Sequence, residues 1–334
     1  MKVLVTGAGG FIGGALARRL HGLGYEVRSL QRGSYPQLEE DGIEAIQGQL
    51  NDPDVVSEAV AGCAAVFHVA ALAAVSGPYS QFHNTNVIGT EQIIAACLKH
   101  GVEKLIYTSS PSVVFDGQNQ EGIDENVPYP ASYLAHYPRT KALAEKAILA
   151  ANCPELATVA LRPHLVWGPG DRHLVPRILE RGRSGKLKLI QHNGALLDAT
   201  YIENAIDAHI AAYNSLSPTS LCCGKAYFIA NDEPVAPEVL IGGILQSAGL
   251  DPVTPSLSPR IAFAIGTILE WVHQIPGWPG EPILTRFTAR QLSTSHWFDL
   301  SAARRDLNWE PRISTAEGLR KLALSLSPQT EPTP

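Results

Sequence analysis

Tyr137 and Lys141 stand four residues apart in His136-Tyr137-Pro138-Arg139-Thr140-Lys141. On a helix that spacing puts both on one face, one turn apart. Pro138 suits the first turn of such a helix, where no amide donor is needed. A phenol ionises near ~10, too high for ready proton exchange at neutrality. A neighbouring ammonium favours the phenolate and lowers that value, so the pair suits general acid–base work. Upstream, Tyr107-Thr108-Ser109-Ser110-Pro111-Ser112 places hydroxyls at the end of an apolar run. A serine there can donate a hydrogen bond to a carbonyl oxygen and stabilise the developing alkoxide. Tyr-x-x-x-Lys also arises by chance on helix surfaces, and hydroxyls also cap strand ends and turns. Position in the fold decides between these readings.

A second constellation opens the chain. Thr6-Gly7-Ala8-Gly9-Gly10-Phe11-Ile12-Gly13 follows the run Val3–Val5 directly. Gly7 can make a tight turn, Gly10 lets backbone approach a pyrophosphate, and Gly13 permits close helix–strand packing. The helix that follows offers unpaired N–H groups and a favourable dipole to anionic phosphates. The spacing is Gly-x-x-Gly-x-x-Gly, and alone it also describes a structural turn. At a strand–helix junction it leads us to expect a dinucleotide. The second strand ends Ser29-Leu30-Gln31-Arg32, where an NAD site usually carries a carboxylate for the ribose 2′-hydroxyl. A guanidinium pairs instead with a 2′-phosphate, so Gln31 and Arg32 favour NADP(H) over NAD(H). Arg32 as a solvated surface residue is the alternative.

The elements that must position these residues read clearly in the first half. Apolar runs at Val3–Val5, Glu26–Leu30, Ala65–Val69, Leu105–Ser109 and Thr158–Leu161 predict strands. Phe11–Leu23, Pro53–Val60, Val87–His100 and His136–Ala150 carry apolar residues near helical spacing. Continuous apolar strands separated by helices predict an α/β fold with a doubly wound parallel sheet covered on both faces. The carboxyl edge of such a sheet is where ligands bind, and both Ser110 and the glycine loop fall there. After Pro163 the rhythm loosens, and segments such as Leu174–Arg181, Asn204–Tyr213 and Pro237–Ala248 no longer alternate with strands. We therefore expect a dinucleotide-binding domain over 1–163, with return segments around 200–232 that include Ala226–Ile229. A smaller, irregular substrate domain is expected over 164–199 and 233–325. Ser325 to Pro334 holds three prolines, and 326–334 is expected as a disordered tail.

Composition removes several classes. The chain has 334 residues, 45% hydrophobic and 17% charged, with a net charge of −6. Those values suit a folded globular protein, and the charge argues against a nucleic-acid partner. Five cysteines without C-x-x-C spacing suggest neither a disulfide framework nor zinc, and point to a reducing cytoplasm. Eleven histidines show no metal-ligand pattern, so no metal is expected. The N-terminus lacks the features of a signal peptide, and no stretch approaches the ~20 apolar residues of a spanning helix. The nearest, Ile261 to Leu269, runs into Glu270-Trp271-Val272-His273 and reads as an amphipathic helix, with peripheral lipid contact left open.

Together, Thr6-Gly7-x-x-Gly10-x-x-Gly13, Ser110 and Tyr137-x-x-x-Lys141 resemble the extended short-chain dehydrogenase/reductase superfamily. Asn86-Val87-Ile88-Gly89-Thr90 and the run from Leu161-Arg162-Pro163 to Gly170-Asp171 extend the resemblance over nearly the whole chain. It implies a Rossmann-type fold and Tyr137 as proton donor or acceptor. Lys141 would bind the nicotinamide ribose and lower the tyrosine pKa. Ser110 matches the carbonyl-orienting serine, with Ser112 the fallback, and Asn86 matches the asparagine that supports the proton relay. Phe11, Ile12, Leu50, Ala70 and Ala71 join the expected cofactor contacts, and Pro163 and Val166 fall where the family's backbone lines the nicotinamide pocket. Where the family usually has Gly-Asp-Leu, this chain reads Gly48-Gln49-Leu50, so Gln49 replaces the adenine-contacting acid. The superfamily also implies a homodimer through the helices around Val87–His100 and Tyr137–Ala150.

The second half is similar to the 3β-hydroxysteroid and sterol dehydrogenase branch. It does so through Leu174-Val175-Pro176, Asp198-Ala199-Thr200-Tyr201-Ile202-Glu203-Asn204 and Gly224–Pro234. Arg32–Pro36, Gly280–Phe287 and His296-Trp297 resemble the bacterial reductases of long-chain olefin biosynthesis, which act on 2-alkyl-3-oxoalkanoic acids with NADPH. Both substrate classes are hydrophobic small molecules with oxygen at position 3. Phe263, Trp271, Trp278, Phe287, Trp297 and Phe298 would line an apolar pocket or else form core. Arg172, Arg177, His164 and Arg286 are the candidate cations for a substrate carboxylate. Keto-acid reduction, sterol oxidation and a non-catalytic dinucleotide sensor are the readings carried forward.

Overall fold

Strands without polar alternation leave neither face of a sheet fit for water, so helices must cover both. The computed structural model, which describes residues 1–192, 194–273 and 282–327, has that arrangement. The strands are β1 (Lys2–Thr6), β2 (Glu26–Gln31), β3 (Glu44–Gln47), β4 (Ala65–His68), β5 (Lys104–Thr108), β6 (Gln120–Ile123) and β7 (Ala157–Pro163). Six more follow: β8 (Val166–Trp167), β9 (Leu189–Ile190), β10 (Thr200–Tyr201), β11 (Lys225–Ile229), β12 (Pro255–Leu257) and β13 (His296–Phe298). Seven of them form a parallel sheet in the order β11-β7-β5-β4-β1-β2-β3. The direction of travel reverses at β1, which creates the crevice where open α/β sheets bind ligands. β8 with β10, β9 with β12 and β6 with β13 form three small parallel pairs.

The helices are α1 (Phe11–Gly22), α2 (Pro36–Glu40), α3 (Pro53–Val60), α4 (Tyr79–Phe82), α5 (Gly89–His100), α6 (His136–Ala150) and α7 (Leu174–Arg183). Beyond them lie α8 (Ile202–Ser215), α9 (Pro237–Gln246), α10 (Pro259–Val272), α11 (Arg286–Gln291), α12 (Ser301–Leu307) and α13 (Thr315–Leu326). The two-residue period of the strands divides their side chains between two layers. Val3, Val5, Phe67 and Val159 join Leu16 and Leu20 of α1 and Ile206 of α8 on one face. Leu4, Val66, Leu105 and Ala160 join Val56 of α3, Ile93 of α5 and Ile148 of α6 on the other. Trp167, Phe298 and Leu307, from the irregular second half, belong to the first of these cores. A separate small cluster holds Ile190, Ala262 and Ala289.

Three details differ from the sequence reading. β3 had no counterpart there: it is a four-residue edge strand with half-exposed Ala45 and Ile46 and no continuous apolar run. The segment expected to begin a helix at Val87 starts earlier, as a π-helical turn over His83–Ile88 that leads into α5. Ser325 and Leu326 belong to α13, because Ser314 caps that helix and Leu322 anchors it. Residues 328–334 of the expected tail lie outside the described residues, as does Trp278.

Candidate active site

Gly7 leaves β1 with φ +74°, a conformation that favours glycine, and its amide donates to Leu30 O at 2.8 Å. A Cβ on Gly13 would lie 2.3 Å from Gly7 O, so α1 can approach the loop only with glycine there. Gly10 caps α1 without any side-chain hydrogen bond, leaving first-turn amides free to face an anion. The loop is pinned from behind. Thr6 Oγ1 accepts from the amides of Val69 and Ala70, each at 3.1 Å, and lies 2.8 Å from His68 Nδ1. Thr90 spends its hydrogen on Asn86 O at 2.7 Å, so His68 Nε2 must donate to Thr90 and His68 Nδ1 must accept from Thr6. Burial holds His68 neutral, its pKa down at about 3. Nothing local in the sequence announces this chain, which joins residues 62 and 22 positions apart.

From this loop a cavity of about 1000 Å³ runs along the carboxyl ends of the strands. Gly7, Gly10, Phe11, Ile12 and Gly13 line one end, with Gln31, Arg32, Gln49 and Leu50. Ala70, Ala71, Pro163 and Val166 line its middle, and Ser110, Tyr137 and Lys141 the other end. Of the expected catalytic and cofactor contacts, the fallback Ser112 is absent from this lining, and so is Asn86. It is buried, with Oδ1 accepting from Leu72 N at 2.7 Å and Nδ2 donating to Leu72 O and Thr140 Oγ1. Asn86 thus ties the π turn to the helix that carries Tyr137.

The end that holds the expected catalytic residues is built by α6 and the end of β5. Ser110 caps a short 3₁₀ turn, Pro111–Val114, and accepts from Ser112 Oγ at 2.9 Å. Ser112 is buried behind Ser110, and of these two candidates Ser110 alone lines the cavity. Lys141 is buried, donates to Thr108 O at 2.6 Å and sits 4.1 Å from the Tyr107 ring centroid. Burial lowers its pKa to about 7, against the attraction of Glu145 one turn further along. Tyr137 departs from expectation: burial raises its pKa above the ordinary phenol value, and only a hydrogen bond with Ser110 opposes the rise. The lysine expected to lower it is directed at Thr108 O and is itself poised near neutrality.

Tyr35 and Leu165 line the cavity without having been singled out as site residues from sequence. The Tyr35 ring lies on Gly9, where a Cβ would sit 2.2 Å from the ring. Arg172 donates to Gly9 O at 3.3 Å, which puts this candidate carboxylate-binding cation beside the glycine loop. Leu165, which also lines the cavity, takes φ +43° between His164 and Val166. Of the other candidate cations, Arg286 pairs with Glu270 at 2.7 Å, and His164 Nδ1 donates to Asp198 O at 2.7 Å. Arg177 lies on α7. The aromatic residues disperse. Phe298 stacks on Phe228 in the core, Phe287 meets Phe115 edge-on, and Trp271 faces solvent.

The site also fits a dinucleotide by what it leaves unsatisfied. Gln31 Oε1 and Ser109 Oγ are buried without partners, and both residues line the cavity. Buried polar atoms of this kind normally find partners.

Comparison with known proteins agrees with this architecture. Residues 4–258 match the 3-beta hydroxysteroid dehydrogenase/isomerase family. A 2-alkyl-3-oxoalkanoate reductase of Stenotrophomonas maltophilia is 47% identical over 97% of this chain and 99% of that protein. A 3 beta-hydroxysteroid dehydrogenase/Delta 5→4-isomerase of Mycobacterium tuberculosis is 35% identical over 95% of this chain and 88% of that protein. Among solved structures, the UDP-glucuronic acid 4-epimerase of Bacillus cereus in complex with NAD superimposes with a TM-score of 0.76. It is 21% identical over 98% of both chains, a likeness of fold.

Fold and site define the class as the extended short-chain dehydrogenase/reductases, oxidoreductases acting on CH–OH and C=O groups. Within it, the chain belongs to the 3-beta hydroxysteroid dehydrogenase/isomerase family.

Proposed function

We propose that the protein is an NADPH-dependent reductase that converts a 2-alkyl-3-oxoalkanoic acid to the 3-hydroxy acid. The observation that carries this reading is the convergence of Ser110, Tyr137 and Lys141 at one end of a cavity whose other end is the glycine loop. The 47% identity to a reductase of that name supports the substrate class. The dinucleotide, when bound, supplies the hydride.

The chain's own residues do the rest. Ser110 donates a hydrogen bond to the substrate carbonyl oxygen, its own oxygen steadied by Ser112. Tyr137 protonates that oxygen as it becomes an alkoxide, and a raised pKa suits a group that must hold its proton until then. Lys141 binds ribose hydroxyls and, with a pKa of about 7, helps return a proton to Tyr137. Asn86 positions α6 beneath them. The amides of the α1 terminus hold the pyrophosphate. Gln31 and Gln49 hydrogen-bond the adenosine half. Arg32, exposed on the cavity rim and outside any ion pair among the described residues, pairs with the 2′-phosphate and selects NADP(H).

Segments 164–199 and 233–325 form the substrate side. We assign the protein to the cytoplasm, as five unpaired cysteines suggest, and expect a homodimer. Exposed Leu98 on α5 and Leu143 on α6 support the latter.

The test supplies purified protein with a 2-alkyl-3-oxoalkanoate and either NADPH or NADH, and follows the 3-hydroxy acid by mass spectrometry. Product formation at lower KM for NADPH is expected. Turnover confined to a 3β-hydroxysteroid in the oxidative direction would replace this reading with sterol oxidation, which the M. tuberculosis relative keeps in view.

A further inference from the structure

α10 is built the opposite way round from an ordinary surface helix. Two small residues, Ala262 and Gly266, face inward, and Ala262 is buried in the satellite cluster with Ile190 and Ala289. A Cβ on Gly266 would lie 2.7 Å from the Thr285 carbonyl carbon. Four of its large apolar residues face out, with Ile261 54%, Ile265 37%, Ile268 61% and Trp271 71% exposed. Steps of four, three and three residues align them along one helical face. Four exposed residues of this size in one row form a patch that water-facing surfaces of monomers seldom carry.

Charge around the row is segregated. Arg260 lies at the start of α10, and Arg290 sits 5.0 Å from the Phe263 ring centroid. Arg183, Lys186 and Lys188 lead into β9, whose Leu189 and Ile190 pair with Pro255 and Leu257 just before α10. These five cations are exposed, and none forms an ion pair among the described residues. On the same stretches the carboxylates are Glu180, Asp251 and Glu270, the last engaged with Arg286. A chain of net charge −6 therefore presents a locally basic rim beside an apolar helix face.

We propose that this face of α10 docks on a lipid bilayer bearing anionic headgroups. The apolar row enters the acyl boundary, and the rim meets lipid phosphates. The row spans about 15 Å at 1.5 Å per residue, half the hydrocarbon thickness, so the helix lies in the interface plane. No helix among the described residues is long and apolar enough to cross a membrane. A second copy of this chain is disfavoured as occupant, because a two-fold interface on the row would set one basic rim against another. The inference does not depend on the reaction proposed above.

Co-sedimentation of the full chain with vesicles tests it, using phosphatidylcholine alone and phosphatidylcholine mixed with phosphatidylglycerol. Binding is expected to rise with the phosphatidylglycerol fraction and to fall with salt. Ile268→Glu, a change on an exposed position, should weaken it at least tenfold with an unchanged circular dichroism spectrum. Lys186→Glu with Lys188→Glu should remove most of the dependence on phosphatidylglycerol. Absence of binding at high phosphatidylglycerol overturns the proposal, as does equal binding by Ile268→Glu. Light scattering that shows Ile268→Glu dissociating a dimer overturns it too, and assigns the row to a second copy.

Discussion

In the proposed reaction, proton chemistry rests on groups held off their ordinary pKa values by burial. Lys141 at about 7 and Tyr137 above the phenol value are opposite consequences of one cause, because burial penalises charge on either. Arg32 is exposed, and in the proposed reading it acts by charge alone. Arg32→Glu should raise the KM for NADPH at least tenfold and leave that for NADH nearly unchanged, measured by steady-state kinetics. Asp198 gives a stability test. It is buried with Oδ2 unpartnered, and its pKa rises to about 7. The native state thus keeps a proton between about 4 and 7 that the unfolded state releases, and stability is lost as pH climbs through that window. Asp198→Asn should therefore gain stability relative to the parent at pH 8 and match it near pH 4, as urea unfolding at both values would reveal. Tyr137, Lys141 and the glycines were legible because their meaning lies in short spacings. Tyr35 on Gly9 and the Thr6–His68–Thr90 chain were not, since each needs residues far apart in sequence to meet.

Elements carry the site through their ends. β1, β5 and β7 deliver Gly7, Ser110 and Pro163 to one edge, and α6 brings Tyr137 back across it. α6 is tied to β7 by a buried pair: Arg162 donates to both Glu145 oxygens, at 3.0 and 2.7 Å, and Tyr129 donates to Oε1 at 2.6 Å. Arg162→Met would strand the Glu145 carboxylate, and should cost about 3–5 kcal/mol in denaturant unfolding. Glu145→Gln with Arg162→Met should recover part of that loss. α6 was readable to its end residues, because Tyr137, Lys141, Ala144 and Ile148 recur at helical spacing between His136 and Ala150. The π turn at His83–Ile88 was not, since its shift in hydrogen bonding leaves no mark on the apolar pattern. The apolar run at α10 was visible in sequence. Its outward orientation was not, because that depends on Gly266 fitting against Thr285.

For the molecule as a whole, one sheet with its reversal at β1 aligns a glycine loop, Gln31 with Arg32, and the Tyr137, Ser110 and Lys141 group along one cavity. The first half of that layout followed from alternating strands and helices. The second half did not follow from rhythm, because its short parallel pairs are set by partners up to 176 residues away, such as Gln120 and His296. The proposed reaction has this cavity reduce a 3-keto acid with Tyr137 as the proton donor. The most direct test measures NADPH consumption with a 2-alkyl-3-oxoalkanoate for the parent protein and for Tyr137→Phe, with NADPH binding followed for both. Turnover by the parent, a loss of about 10²–10⁴-fold in the variant and unchanged NADPH affinity are expected. Equal turnover by the two proteins, or none by a parent that binds NADPH, would contradict the proposed reaction.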